Sequence, residues 1–386
     1  MMPPFFDRFR HLVLLSVFTL FAYAGSFMYP EAHWHHGFLG GTAYILILAP
    51  FLAWLFYTPH RPVVIHFLSS ATVLAVALVV VGVLSQHHFL GNQSLPDPGS
   101  SAKGLQSPAR ALLLHGHELY SVDAIGTPVS PGPGWILLWS PITMPGWTGW
   151  LTDIALAVSA WAIYRRNRLA SGVFCLMLLV LPLFLRMMNS GMDLYAVSLA
   201  FVALGLWMDG ASDSDGKIVF LALVGSVFAT ARVPMLLPVI VLGLGLYHKR
   251  RRAGLIFLPV LIVATMAWHL SFAAIAHHAG HWYQPMHVLQ RAGDSGTWNR
   301  VAAVVIGLAC IAWCFKRLTG DVRTWFVGTF VLMVALFTPT GISEGIRDWT
   351  FVWEGAGYIC FPVPLLAAAI ALHIRKDGDQ GVTQNV

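Results

Sequence analysis

Charge is what this sequence has least of: 10% of its 386 residues are Asp, Glu, Lys or Arg, where a soluble domain usually carries about 25%. With 57% hydrophobic residues and a mean hydropathy of +0.69 it has too little polar surface to cover itself, which argues against a soluble fold. Cysteine is nearly as scarce. Cys175, Cys310, Cys314 and Cys360 fall in or beside apolar runs, with neither the pattern of a disulfide framework nor the spacing of zinc ligands, and read as small packing residues. Strand-length runs are missing as well: the apolar stretches are about 20 residues long, against ~10 for a barrel strand. In hydrocarbon each span must satisfy its own backbone polar groups, so these spans are helices. The net charge of +6 raises nucleic acid as a partner. The basic residues, however, sit in short clusters between apolar runs and report topology, so no nucleic-acid partner is expected.

What is present is an all-α, polytopic transmembrane bundle of about 12 spans, within a range of roughly 10 to 13. The spans fall near 11–29, 41–58, 64–85, 134–163, 170–187, 192–208, 217–232, 233–247, 254–276, 300–315, 324–338 and 357–373. Residues 11–24 end in Ala22-Tyr23-Ala24, which has the look of a signal-peptide cleavage site, but the spans that follow favour an uncleaved first helix. The segment 134–163 is long for one crossing and 217–247 short for two. Pro141, Pro145, Pro234 and Pro238 mark either helix breaks beside a cavity or simple packing kinks.

Arg8 and Arg10, Arg61, Arg165 to Arg168, Lys249 to Arg252, Lys316 and Arg317, and Arg375 and Lys376 all land on one side of this arrangement. The positive-inside rule makes that side, and both termini, cytoplasmic. The outer face then receives 30–40, 86–133, 188–191, 277–299 and 339–356. It also collects His33, His35, His36, His87, His88, His115, His117, His277, His278, His281 and His287. Imidazoles can bind a metal or move protons, but no ligand motif is present, and hydrogen bonding at the membrane interface is the simpler reading. Trp34, Trp135, Trp147, Trp150, Trp282, Tyr283, Trp349 and Trp353 gather towards the same face, as an aromatic belt does.

The outer loop 86–133 is the most informative segment, because loops of that length are usually functional. Ala109-Arg110-Ala111-Leu112-Leu113-Leu114 predicts a helix with one apolar face, suited to the membrane interface. Leu113-Leu114-His115-Gly116-His117-Glu118-Leu119-Tyr120 follows, and Val129-Ser130-Pro131-Gly132-Pro133 precedes an aromatic span. Arg186-Met187-Met188-Asn189-Ser190-Gly191-Met192-Asp193 and Thr230-Ala231-Arg232-Val233-Pro234 place charges at membrane depth, where they are costly and face a cavity or a partner. Arg186 could pair with Asp193 or reach the interface. Asp153 and His269 are further ionisable residues within spans.

In their order these four elements resemble the GT-C superfamily of integral membrane glycosyltransferases, in particular its bacterial, polyprenyl-phosphate-sugar-dependent, mannosyltransferase-like branch. The likeness covers roughly residues 62–252. It implies a catalytic core there, with 1–61 as an N-terminal hairpin, 253–374 as C-terminal helices and 375–386 as a cytoplasmic tail. The implied activity is hexosyl transfer from a polyprenyl-phosphate donor to an extracytoplasmic lipid or glycan acceptor, in a bacterial cytoplasmic membrane and among membrane lipids. Such transfer needs a carboxylate to take the acceptor proton and donors to hold the leaving phosphate. Asp97 is the acid in the position the family uses, although it lies farther from Gly116 and Tyr120 than the pattern has it and lacks the following aromatic; Glu118 and Asp123 are the substitutes. Arg186 and Arg232 would meet the phosphate, since the guanidinium fork suits it. His115, His117, Tyr120, Asn189 and Asp193 would bind substrate, and the chemistry requires no metal or other cofactor. Two other classes compete: a lipid or lipid-linked sugar transporter, for which internal repeats are not evident, and an O-antigen polymerase or ligase-like protein, whose main loop usually lies late in the chain.

Overall fold

A computed structural model describes residues 12–22, 42–52, 68, 74–80, 82–83, 103–120, 129–147, 150–181, 184–185, 193–211, 214–278, 283–286, 297–348 and 362–373. Among them the regular structure is entirely helical. The helices are α1 (Leu12–Ala22), α2 (Thr42–Leu52) and α3 (74–80), then α4 (Lys103–His115), α5 (Pro133–Thr143), α6 (Trp150–Tyr164) and α7 (Arg168–Leu179). After them come α8 (Leu194–Gly210), α9 (Asp215–Ala229), α10 (Leu236–Lys249), α11 (Arg251–His278), α12 (Thr297–Arg317), α13 (Val322–Asp348) and α14 (Val363–Ala371).

The predicted span 134–163 is two helices, α5 and α6. Pro141 is accommodated inside α5, and the chain turns after Thr143 through Gly146, whose φ of 92° suits glycine. The predicted pair 217–232 and 233–247 is α9 and α10, joined at Arg232 by a 3-10 turn, Val233–Met235. Pro238 sits in the first turn of α10, where its missing N–H costs no helical hydrogen bond. Several apolar helices are therefore shorter than the 20 residues expected: α6 has 15, α9 has 15 and α10 has 14. Among the described residues one helix, Arg251–Ala276, is long and apolar enough to cross a membrane by length and composition. Only 17% of its apolar window is covered by the rest of the protein.

Helix α8 is apolar around nearly its whole circumference and is accordingly the buried axis of the fold. Helices α6, α9, α10, α13 and α14 pack around it. Small residues let these helices approach: a Cβ at Gly205 would stand 2.6 Å from Phe326, and one at Gly245 would collide with the Trp325 ring.

The polar residues separate to the two ends of the bundle. At one end Arg166 and Lys249 both pair with Asp209, the second at 2.5 Å, while Arg252 reaches Asp215 at 2.6 Å and His248 Nε2 lies 2.7 Å from the Phe315 carbonyl. Three of the basic clusters picked out in the sequence, at 165–168, 249–252 and 316–317, therefore share one end. The opposite end holds Thr230 to Met235, Gly132 to Trp135, Asp193 and Tyr283 to Met286.

Candidate functional site

Helix α9 stops at Ala229 with Thr230 as its cap, and Arg232 follows in extended conformation (φ −151°, ψ 151°) before Pro234 opens the next turn. This break turns the Arg232 side chain into the bundle, where it is 2% exposed. A buried guanidinium needs a counter-charge, and Asp193, just before α8, supplies it. Arg232 Nη2 donates to Asp193 Oδ1 at 2.7 Å and Nη1 to Oδ2 at 3.1 Å, with a further bond from Nη1 to the Ala231 carbonyl at 2.6 Å. Trp135 Nε1 donates to Asp193 Oδ2 at 2.9 Å. The carboxylate thus collects three donors from two other segments, a planar bidentate contact plus an indole.

Trp135 is held there by its own backbone. Its N–H donates to Thr230 Oγ1 at 2.8 Å, and the Gly132 N–H donates to the Thr230 carbonyl at 2.7 Å. The approach is too close for side chains: a Cβ on Gly132 would meet the Thr230 carbonyl and come within 3.0 Å of His269 Cε1, and one on Gly134 would be 2.8 Å from Thr230 Oγ1. The Pro/Gly run before α5 is therefore more than helix-start punctuation. Its glycines allow two segments far apart in sequence to join.

A second layer closes over the first. Tyr120 donates to the Pro131 carbonyl at 3.0 Å, and its ring meets Tyr283 edge-on with centroids 5.2 Å apart. Tyr283 Oη lies 2.6 Å from His269 Nδ1. Gln284 ties two segments of this layer together: its Oε1 accepts from the Val129 N–H at 2.6 Å and its Nε2 donates to the Tyr120 carbonyl at 3.2 Å. Burial, with Tyr283 alongside, pushes the Tyr120 phenol well above its usual range. Burial also raises Tyr283, an effect that its hydrogen bond with Tyr120 partly offsets. Both phenols stay protonated and act here as hydrogen-bonding groups.

Of the residues picked out in the sequence, the structure brings Tyr120, Asp193 and Arg232 into this assembly. His115 and His117 are exposed at the end of α4, with ring centroids 6.0 Å apart, while Glu118 is half-buried two residues before Tyr120. Asp97, Asp123, Arg186 and Asn189 lie outside the described residues. Trp135, Thr230 and Gln284 were not singled out as site residues. Thr230 opens a motif that was and Trp135 follows another, whereas Gln284 is marked only by the belt aromatics Trp282 and Tyr283 before it. Asp153 is also buried, in the first turn of α6. Among the described residues no three His, Cys, Asp or Glu side chains gather as metal ligands would.

The predicted outer-loop helix is α4, and it docks on α5. Arg110 donates from Nε and Nη2 to the Met144 carbonyl at 2.9 and 2.6 Å, so a cation caps the C-terminal end of α5. Leu105 and Ala109 face inwards, while Leu113 and Leu114 are exposed. Compared with known protein families, curated proteins and solved structures, the chain matches none.

Proposed function

We propose that this chain is a multi-pass membrane glycosyltransferase of GT-C type, moving a sugar from a polyprenyl-phosphate donor to an extracytoplasmic lipid or glycan acceptor. One observation carries the reading. Three elements of the family resemblance, at Tyr120, at Val129 to Pro133 and at Thr230 to Pro234, meet at one end of the bundle together with Asp193, the end of the fourth. Random apolar helices would have no reason to bring them together.

Membrane insertion is supported by surfaces that water would not tolerate. On α11, Val263 and Leu270 are 68% and 59% exposed, and on α12, Val304 and Leu308 are 61% and 64% exposed. Lipid is the solvent that such walls require. In this reading the basic end is cytoplasmic, as are both termini, and the Arg232 layer lies towards the outside. His269 is 18 residues beyond Arg251, hence about 27 Å along α11, close to the hydrocarbon thickness of ~30 Å. The exposed Leu113 and Leu114 of α4 would rest in the outer interface.

In the transfer step the acceptor oxygen attacks the anomeric carbon, its proton passes to a carboxylate, and the carbon–oxygen bond to phosphate breaks with its electron pair on the phosphate. Asp97, then Glu118, is the carboxylate in this proposal, and Arg186 and Asn189 meet the phosphate. Arg232, whose fork is filled by Asp193, positions the layer and offers charge to the phosphate from beneath. Proteoliposomes supplied with polyprenyl-phosphate hexoses and a lipid extract test the reading: glycolipid should form, and Asp97→Asn together with Glu118→Gln should abolish it while donor binding persists. A second reading, lipid transport, is favoured by the buried acid Asp153. It gains if no donor is consumed but labelled lipid changes leaflet.

A further inference from the structure

We propose that Asp153 is a proton-binding site, a carboxylic acid that keeps its proton inside the bundle. Asp153 is 4% exposed, and neither Oδ1 nor Oδ2 has a hydrogen-bond partner. The other buried or half-buried aspartates among the described residues each have a cation: Asp193 has Arg232, Asp209 has Arg166 and Lys249, and Asp321 has Arg323. The carboxyl points at Gly82, just past α3, where a Cβ would stand 3.1 Å from Oδ2. A glycine there leaves the acid room without offering it a charge or a donor.

Helix register sets its level. Ser159 donates to the Leu199 carbonyl and Arg166 to the Leu206 carbonyl, both across an interval of 40 residues, so α6 and α8 run side by side in parallel. The same interval sets Asp153 level with Asp193. That layer holds two acids against one guanidinium, and Asp193 occupies the guanidinium fork. Among the described residues no further cation stands at that level to balance a second carboxylate. The described helices beside α6 supply none either. Helices α3 and α5 carry no titratable residue, α8 offers Tyr195 and Asp209, α7 offers Cys175 and, at the far end, Arg168, and α6 itself has Tyr164 beyond Asp153. An unpaired carboxylate in such surroundings is far costlier than the neutral acid.

This inference rests on membrane insertion and not on either proposed activity. It is tested by treating the purified protein at neutral pH with dicyclohexylcarbodiimide. The reagent partitions into apolar regions and reacts with the protonated acid: the carboxyl oxygen adds to the carbodiimide carbon, the proton moves to nitrogen, and the adduct rearranges to a stable N-acylurea with no leaving group. Peptide mapping should find Asp153 modified at least about tenfold more than Asp209, Asp215 or Asp321, which are paired at the polar end. A readout independent of reagent access accompanies it. The infrared difference between wild type and Asp153→Asn at neutral pH should contain the carbonyl stretch of a protonated acid. A carboxylate band in its place overturns the proposal, as does equal labelling of Asp153 by a water-soluble carbodiimide. Should the variant fail to fold, mapping of the wild-type adduct decides alone, and an unmodified Asp153 then counts against the proposal.

Discussion

Arg232 and Asp193 are each worth more to the fold as a pair than either is alone. Removing one partner of a buried ion pair strands the other, at a cost of roughly 3–5 kcal/mol. Arg232→Ala should therefore lower the thermal midpoint in detergent sharply, and the double variant Arg232→Met/Asp193→Leu should recover much of the loss. Equal loss in the single and double variants would show that the pair's geometry, and not its charge balance, is what the fold requires. Trp135→Phe is milder, since Asp193 keeps its bidentate partner and loses one donor of three. A different acid responds to pH. Burial pushes the Asp321 carboxyl up, but hydrogen bonds from Arg323 and its positive charge outweigh that and hold it below the ordinary carboxylate range. A carboxylate lowered in the folded state adds stability that is present above its unfolded pKa and is lost as pH falls through the folded value. Comparing wild type with Asp321→Asn across the acid range below about pH 4 should show the wild type losing its advantage there.

At the scale of elements, the breaks between helices matter more than the helices. Of the four prolines read as breaks or kinks, Pro145 and Pro234 fall in the interruptions after Thr143 and Ala229, whereas Pro141 and Pro238 lie inside helices. The charge at Arg232 was legible too, as an expensive residue at membrane depth. Its partner was not: Asp193 pairs with Arg232 across 39 residues. Nothing local encodes a contact that depends on α8 and α9 being packed side by side. Gln284 is invisible for the same reason, since its two hydrogen bonds reach 155 and 164 residues back along the chain. Helix length was misjudged at 134–163, where apolar residues continue through the turn after Thr143 and one span was read for the two helices α5 and α6. The join between α5 and α9 gives a direct test. Gly132→Ala forces a Cβ against the Thr230 carbonyl and should cost about 1–3 kcal/mol as overpacking. Gly104→Ala in α4, where a Cβ meets nothing within 4 Å, should be neutral or stabilise by roughly 0.5–1 kcal/mol. Thermal unfolding of both variants checks the contrast, and similar midpoints would show that the Gly132–Thr230 approach can relax.

For the whole molecule the decisive property is that most of the described basic side chains gather at one end of the bundle, while the buried Arg232–Asp193 pair lies at the other. Lys249, Arg250, Arg252, Arg166 and Arg323 gather with Asp209, Asp215 and Asp321 at one end, and Tyr120, Trp135, Tyr283 and Gln284 at the other. A water-soluble bundle has no reason to sort its polar residues in this way, because either end meets the same solvent. In the membrane reading proposed above a bilayer would supply the reason: cations would be retained on the cytoplasmic side, and amphipathic rings would sit at the interface. Sidedness then follows as the last prediction. His117 and Arg251 are both exposed and lie at opposite ends of the molecule. Each can be replaced by cysteine in a background where the native cysteines are serine or alanine. In intact cells a membrane-impermeant maleimide should label the cysteine at 117 and spare the one at 251, which should react only after the membrane is opened. Labelling of both in intact cells would mean that the bundle does not separate two compartments. The reverse pattern would put the Arg232 layer on the cytoplasmic side and end the proposal of an extracytoplasmic acceptor, while leaving the buried acid at Asp153 untouched.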